Sequence, residues 1–444
     1  MHYVLKCTGA SKRITESRGG LILSKNIAVL DIGTTGVRIL AAKVNEGGLP
    51  HIVAKVAIPC RGLKKFKIYD REVLVRAIGQ AVLRIQEQTG IVIKSVYSSV
   101  QSAYVKYMHN ADMIEISDTG REITYHDIAT LLDKVASVEM YDDEVLLDVS
   151  PLKFVIDGEA TVVDPIGLSA KTLEVEADIV LGQAEYINDV KDCIEDAGLE
   201  IDGFVPVSLA MAGLMPEYSE ECKSVLMIDV GGSVTDYTLY YKGKPYAIGA
   251  IPVGGDNISS DLSQVFKVSP NEAEALKRDY PLASATLVTN NIDIAIHSLA
   301  SGEQEIIKVE EPVQVMQARI EEIFSMVGRN LNKENININS IDRVIVSGDG
   351  LVPFKGTDVI CKNILNVQLL EIDFSRLTGM KSVYTYASGM VMYISSQLPL
   401  GRKQSQFEKE YQTNDIPQIK KKGFAGILEM VQSKMKNMFT GFRE

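Results

Sequence analysis

Two segments of the sequence combine a carboxylate, glycines and hydroxyl side chains in a way that suits phosphate chemistry. They are residues 31–36 (DIGTTG) and, 198 positions further on, residues 229–236 (DVGGSVTD). A tight turn of this composition directs backbone N–H and hydroxyl groups towards one point, and glycine lets the backbone approach an anion. Either turn alone could be an ordinary hairpin with capping residues, whereas two copies with matching flanks favour a phosphate site.

We therefore predict a phosphate site that is divided between the two turns. A carboxylate cannot hold phosphate directly, but it can hold a hydrated Mg²⁺, which takes few carboxylates and several waters. Asp31 and Asp229 are expected to orient Mg²⁺ through water. The candidate phosphate-binding residues are Gly33, Thr34, Thr35, Gly231, Gly232 and Ser233.

Two further segments could contact the rest of a nucleotide. Gly255 opens a helical pattern, and Glu274 and Lys277 lie three positions apart, on one helical face, where they could hold ribose hydroxyls or form a surface ion pair. An apolar run at 344–346 ends in small residues, which leaves room for a flat adenine ring, although other strand-to-helix turns share this composition. The candidate residues of this second turn are Ser347, Gly348 and Gly350.

The elements that must position these residues repeat along the chain. Apolar runs at 27–32 and 37–42 flank the first turn as a hairpin, and a third run follows at 51–57. Around the second turn the same order returns, with runs at 225–230 and 236–241. Two copies of one unit predict an α/β protein with a pseudo-twofold arrangement and a cleft between its halves.

Composition narrows the class of protein. A chain of 444 residues suggests about three domains, and its net charge of −12 argues against nucleic-acid binding. No apolar run reaches the ~18 residues that a membrane-spanning helix needs. The five cysteines and five histidines are dispersed without metal-ligand spacing, so a disulfide framework and a metal held only by protein ligands are not expected.

The end of the chain differs in composition from the rest. Residues 401–419 are polar and are typical of a linker, and residues 420–444 hold six Lys or Arg against two Glu. Large apolar residues recur there at steps of three and four, which predicts an amphipathic helix lying on an anionic membrane. They are Phe424, Ile427, Leu428, Val431, Met435, Met438, Phe439 and Phe442. A helix docked on the protein body or in a partner's groove is the alternative.

Together these segments resemble the actin/Hsp70/sugar-kinase ATPase superfamily and, within it, FtsA, the bacterial actin-like cell-division family. The resemblance runs from about Asn26 to the C-terminus. Besides the two turns, it rests on residues 164–167, 173–176, 251–255, 273–277 and 319–323. It implies a duplicated actin-like ATPase fold with an interdomain nucleotide cleft, an α+β insertion in the first half and a C-terminal amphipathic helix.

The same resemblance divides the chain into parts. The expected parts are a flexible extension (1–25), a first actin-like subdomain (26–100 and 181–220), an inserted α+β subdomain (101–180), a second actin-like subdomain (221–256 and 343–400), a second-half insertion (257–342), the linker (401–419) and the membrane-targeting helix (420–444). ATP and Mg²⁺ are the implied cofactors, and ATPase activity would be weak at most.

The resemblance also implies a function. The protein would polymerise and tether the FtsZ ring to the cytoplasmic face of the bacterial cell membrane at the division site. Its partners would be the C-terminal tail of FtsZ, contacted by Arg319, further copies of itself, an anionic membrane surface and other division proteins, with no nucleic acid.

Three positions depart from the family pattern, and two other functions stay open. Gly36 stands in place of a lysine, Val234 in place of a threonine and Asp349 in place of a glycine. One alternative is a small-molecule kinase of the same superfamily, which would need a carboxylate base at a polar substrate pocket. The other is the pilus-assembly relative of FtsA, which is usually shorter and lacks the terminal helix.

Overall fold

The computed structural model describes residues 25–45, 49–162, 164–215, 222–351 and 354–397. Its first strand begins at Lys25, so the rest of the predicted extension lies outside the described residues. The predicted linker and the amphipathic helix with its eight apolar residues also lie outside them. None of the helices within these ranges combines the length and the apolar character needed to cross a membrane.

The first sheet is built around the hairpin that carries the turn at 31–36. Its elements in chain order are β1 (Lys25–Gly33), β2 (Gly36–Val44), β3 (Pro50–Pro59), β4 (Leu63–Lys64), β5 (Lys67–Ile68), α1 (Arg71–Thr89) and β6 (Ser95–Val100). β1 pairs antiparallel with β2 as far as Gly33 and Gly36, and parallel with β6 on its other side. Leu30 and Ile32 of β1 pack with α1, whereas Val29 is buried on the opposite face, as expected for a strand covered on both sides.

A small α+β unit is inserted after β6. It consists of β7 (Val105–Glu115), β8 (Arg121–Glu122), α2 (Tyr125–Ala136), β9 (Glu144–Ile156), β10 (Ala160–Val162), β11 (Ser169–Ala170) and β12 (Thr172–Gln183). Four strands form an antiparallel sheet in the order β10-β9-β12-β7, with α2 packed on it. The start of α2 is capped by Thr124. Burial would raise the pKa of Asp127 in its first turn, but hydrogen bonds from Arg121 and Thr124 lower that pKa to about 2.

The chain next completes the first sheet and begins a second one. This stretch contains α3 (Ala184–Asp196), β13 (Glu200–Pro206), α4 (Val207–Ala212), β14 (Ser224–Val230), β15 (Thr235–Tyr241) and β16 (Lys244–Ile251). The remaining elements are α5 (Gly255–Phe266), α6 (Pro270–Asp279), β17 (Asp293–His297), β18 (Gln304–Lys308), α7 (Glu310–Lys333), β19 (Arg343–Ser347), α8 (Thr357–Leu365), β20 (Gln368–Leu369), α9 (Phe374–Thr378) and α10 (Thr385–Gln397).

The two five-stranded sheets have the same topology. The first has the order β3-β2-β1-β6-β13 and the second has the order β16-β15-β14-β19-β20. In each, three antiparallel strands are followed by two parallel ones. The duplicated α/β fold predicted from the repeated turns is thus confirmed, and each turn lies between the first two strands of its own sheet.

The last helix covers one face of the first sheet. Ala387, Met390 and Val391 of α10 form one apolar cluster with Val29 and Leu40 of the first sheet. The family resemblance implied that residues 343–400 belong to the second actin-like subdomain. Phe374 of α9 still packs with Met227 and Ile345 of the second sheet, so the change of sheet comes between α9 and α10. Chain order alone does not show which of two sheets an apolar helix covers.

Candidate nucleotide site

The two predicted phosphate turns touch each other across the cleft. The backbone N–H of Ser233 donates a hydrogen bond to Thr34 Oγ1 over 3.1 Å. A Cβ atom placed on Gly232 would overlap the Thr35 methyl group. Residues about 200 positions apart in sequence therefore form one continuous surface, and the glycine is needed for the close approach.

A second group of contacts, which the sequence did not suggest, holds the halves together beside these turns. Arg61 Nη1 lies 2.6 Å from Asp256 Oδ2, at the first turn of α5. The backbone N–H of Lys65, in the turn between β4 and β5, donates to Ser233 Oγ over 2.9 Å. Both contacts join the segment after β3 to the second half, so this segment borders the phosphate turns on one side.

Three carboxylates are buried behind the turns. Asp31 accepts a hydrogen bond from Ser99 Oγ over 3.2 Å, and Asp229 accepts one from Ser347 Oγ over 2.7 Å. Asp236, directly opposite Asp229 in the β14–β15 pair, accepts the backbone N–H of Ser102 over 2.9 Å.

The protonation of these carboxylates is shifted by their surroundings. Burial raises the pKa of all three carboxylates. The pKa of Asp229 rises to about 7 and the pKa of Asp236 to about 6. Hydrogen bonds from serine oppose this shift, and the charges of neighbouring carboxylates add to it. The site thus concentrates negative charge that a bound cation would stabilise.

Mg²⁺ fits this arrangement as an ion that is held mainly by water and phosphate. Among the described residues, no group of three or more His, Cys, Asp or Glu could hold a metal by itself. Asp31 and Asp229 each lie at the end of the first strand of a sheet, next to a phosphate turn. Two carboxylates beside a polyphosphate suit Mg²⁺, which keeps several waters.

Glycines from three segments form the floor of the second half of the site. Gly231 and Gly232 carbonyls accept the backbone N–H groups of Gly255 and Asp256 at the start of α5. A Cβ on Gly255 would lie 2.8 Å from Gly350 Cα, and one on Gly350 would lie 2.7 Å from Val230 O. This backbone-to-backbone packing holds the three segments close together beside the second phosphate turn.

Gly348 offers a test of this floor. Its φ is +91°, and an added Cβ would overlap Val230 O. We expect Gly348→Ala to cost roughly 2–4 kcal/mol of unfolding free energy, since the left-handed backbone and the overlap both oppose alanine. Gly302→Ala is the matched control, because Gly302 has φ +71° but open space, so it should lose only about 1 kcal/mol. Equal losses for both variants in urea unfolding would contradict this packing.

The predicted ribose residues lie against the start of α5. Lys277 is buried and donates from Nζ to Gly255 O over 3.2 Å. Glu274 Oε2 lies 2.7 Å from Lys277 Nζ and accepts Ser259 Oγ over 2.6 Å. Burial raises the pKa of Glu274, but hydrogen bonds from Lys277 and Ser259 outweigh it and lower that pKa. The structure therefore brings the three predicted residues together: Glu274 and Lys277 form an ion pair, and Lys277 also donates to the carbonyl of Gly255.

The predicted adenine turn is used partly for internal contacts. The Ser347 hydroxyl is donated to Asp229. Asp349, which departs from the family pattern, accepts Ser382 Oγ over 3.1 Å. Its charge adds to the rise in the pKa of Asp31, after burial. Asp349 thus adds to the negative charge near the first turn while being anchored by the segment before α10.

The residue predicted to contact a partner, Arg319, is engaged within the protein. It lies on α7, and its Nε and Nη2 contact the two carboxylate oxygens of Asp261 at 2.6 and 2.9 Å. A third contact joins its Nη1 to Glu322. A planar guanidinium paired in this bidentate way is strongly oriented, so an acidic partner would have to compete with Asp261.

Several site residues were missed by sequence reasoning. Asp236 was visible at the end of the second motif but received no role, whereas Ser99, Arg61 and Asp256 gave no local signal. Arg38 lies under the first turn, and its Nη2 donates to Thr35 Oγ1 over 2.8 Å. Gln101 Oε1, at the end of β6, is buried and has no hydrogen-bond partner among the described residues.

Comparison with known proteins identifies two family models that match the chain. The model described as the SHS2 domain inserted in FTSA matches residues 102–181, and the model described as Cell division protein FtsA matches residues 226–421. The first match coincides with the insertion formed by β7–β12, and the second includes the glycine floor of the site.

Individual relatives agree with these matches. The cell division protein FtsA of Bacillus subtilis is 25% identical over 324 residues, which cover 73% of each chain. The FtsA of Borreliella burgdorferi is 25% identical over 401 residues, which cover 89% of this chain and 97% of the relative. A chain of a PilM–PilN type IV pilus biogenesis complex superposes with a TM-score of 0.53 at 15% identity, over 83% of this chain and 96% of that one, a likeness of fold.

Proposed function

The chain belongs to the FtsA family of cell division proteins, and on this premise we propose that it binds Mg-ATP, polymerises and tethers the FtsZ ring to the cytoplasmic face of the cell membrane. The proposal is supported most by the contact between the two phosphate turns, where Ser233 N–H reaches Thr34 Oγ1. This contact joins the turns of the two sheets that the duplicated fold repeats, which supports a nucleotide site between the halves.

In the proposed site, each group of residues has a distinct task. Thr34, Thr35 and Ser233 would bind phosphate oxygens together with the glycine backbone, while Lys277 and Glu274 would contact the sugar. Asp31 and Asp229 would orient the waters of Mg²⁺. When bound, the ion would neutralise phosphate charge that the acidic cleft alone would repel. Nucleotide binding would favour the closed arrangement of the halves that polymerisation uses.

The proposed partners follow from different parts of the chain. The insertion at 101–180 would take the place of one actin-type subunit contact in a filament, and the second-half insertion at 257–342 would bind the C-terminal tail of FtsZ. The basic tail of the chain would bind anionic lipid. The small-molecule kinase and the pilus-assembly relative gain no comparable support, because the matching family models are those of FtsA and the PilM–PilN likeness is one of fold.

Recruitment of FtsZ to vesicles tests this function and the role of Arg319 together. With Mg-ATP and vesicles of anionic and zwitterionic lipid, we expect the full chain to sediment FtsZ, and FtsZ without its C-terminal tail to stay in solution. Asp261→Asn removes the charge that holds Arg319, so FtsZ-tail affinity should rise several-fold. Arg319→Gln should lower that affinity by about tenfold, since one charge-assisted pair is lost.

The two variants separate a binding role from a structural one. If Arg319 only stabilises α7 against α5, both variants should lower the thermal unfolding temperature and leave the affinity for the tail peptide unchanged. That result would remove Arg319 from the contact. Failure of the full chain to bring FtsZ to vesicles, with the membrane-bound chain itself present in the pellet, would contradict the tethering function.

A further inference from the structure

Arg38 is a largely buried cation under the first phosphate turn. Its side chain is 11% exposed, and its Cα is the register partner of Asp31 across β1 and β2. Nη1 donates to Gly36 O over 3.0 Å, and Nη2 donates to Thr35 Oγ1 over 2.8 Å. The guanidinium therefore lies against the turn of the hairpin, and this turn contacts Ser233 of the second half.

The contacts of this guanidinium leave much of its binding capacity unused. Among the residues that the structure describes, its nearest carboxylate oxygen is Asp31 Oδ2, 3.8 Å from Nη1, which is too far for a hydrogen bond. Two of its five N–H groups donate in the hydrogen bonds to Thr35 and Gly36. Burying a charge is costly unless it is paired and hydrogen-bonded. A group in this state is suited to receive a further anionic ligand.

The neighbouring glycines explain how the guanidinium comes to this position. A Cβ on Gly33 would lie 2.5 Å from Arg38 Nη1, so a side chain there would displace the guanidinium. A Cβ on Gly36 would lie 2.6 Å from Ile58 O in β3, so position 36 cannot carry a lysine without a shift of the backbone. The turn thus has no room for a cationic side chain at position 36, whereas Arg38 reaches the turn from β2.

We propose that Arg38 is a phosphate-binding residue, whose planar guanidinium contacts polyphosphate oxygens of the nucleotide beside Thr35. This inference rests on the proposed nucleotide site and adds to it the cation that the first turn lacks. A guanidinium suits the role because it can bind two phosphate oxygens at once and stays charged at every working pH. Its charge also lies beside the buried carboxylate of Asp31.

The test compares Arg38→Gln, Arg38→Lys and Arg71→Gln in the full chain by calorimetric titration. Arg71 is the control, because it forms an exposed ion pair with Asp196. The probes are Mg-ATP, Mg-ADP and adenosine, which differ in phosphate content. Arg38→Gln should weaken Mg-ATP and Mg-ADP binding by about 10- to 100-fold, which is typical for the loss of one charge-assisted contact, and leave adenosine unchanged. Arg71→Gln should bind all three probes like the wild type.

The outcomes distinguish failure of the whole nucleotide site from failure of the role of Arg38 alone. Wild-type protein that binds no Mg-ATP would overturn the nucleotide site and the role of Arg38 with it. If folded Arg38→Gln binds Mg-ATP as tightly as the wild type does, the role of Arg38 is overturned, whereas the nucleotide site is not. Should melting show that Arg38→Gln is unfolded, Arg38→Lys decides. It keeps the charge beside Asp31 but lacks the planar fork, so unchanged Mg-ATP affinity would refute the proposed contact.

Discussion

Asp229→Asn is expected to weaken Mg-ATP binding by about 100-fold and, at the same time, to make the ligand-free protein more stable at pH 8. The loss of binding follows because the variant removes the carboxylate that would hold the waters of Mg²⁺, and outer-sphere partners are worth up to about 100-fold in metal affinity. The amide keeps an oxygen that can accept the Ser347 hydroxyl, so the local packing should persist.

The gain in stability follows from the pKa of Asp229. Burial, with Asp236 and Asp31 nearby, raises this pKa to about 7 in the folded protein, while in the unfolded chain it returns to about 4. Between these values the folded state binds more protons, so stability falls as pH rises from about 4 to about 7. Asparagine carries no charge, so the variant escapes a cost on the order of 2–4 kcal/mol at pH 8.

Urea unfolding at pH 5 and pH 8, without nucleotide, measures the second effect. The wild type should lose stability between the two pH values, and Asp229→Asn should lose less. Asp342→Asn is a control of opposite sign in the same half: burial would raise the pKa of Asp342, but hydrogen bonds from Ser224 and Lys223 lower it, so its charge stabilises the fold. Equal Mg-ATP affinity of Asp229→Asn and wild type would remove Asp229 from the site.

The features that could be predicted from sequence are local ones. The turn at 31–36 is bounded by two apolar runs, and the structure pairs these runs as β1 and β2, from Lys25 with Val44 to Gly33 with Gly36. The second turn repeats the pattern, so the duplicated fold could be expected before the topology of either sheet was known. In each case a short stretch of chain contains the whole signal, because neighbouring strands of a hairpin are also neighbours in sequence.

The features that could not be predicted depend on pairs that are distant in sequence. Arg61 contacts Asp256, and the Ser102 N–H donates to Asp236, because the two halves of the fold face each other. The sheet that α10 covers could not be predicted either, because α10 follows the second sheet in sequence but packs on the first. Arg38 looked like an ordinary strand residue, since only the hairpin register places it opposite Asp31.

Removal of the last 26 residues, giving a chain that ends at Gln418, is expected to abolish sedimentation with anionic vesicles. The removed segment contains six Lys or Arg, each worth ~1 kcal/mol near an anionic leaflet, and the eight apolar residues of the predicted stripe. Without it the chain is more acidic than the full chain's net −12, so anionic lipid should repel it. The loss should exceed 100-fold, and sedimentation with Mg-ATP measures it.

Two variants of the full chain separate charge from apolar burial in this tail. Changing Lys420, Lys421 and Lys422 to Gln should weaken binding to anionic vesicles by roughly 100-fold, because about 3 kcal/mol of attraction is lost, and should reduce the salt dependence, since three of the six basic residues are removed. Leu428→Glu should weaken binding at every salt concentration, because it places a charge on the apolar face. If the full and truncated chains sediment equally, the segment is a docked or partner-binding helix, and the kinase alternative regains weight because nothing then ties the nucleotide cleft to a membrane.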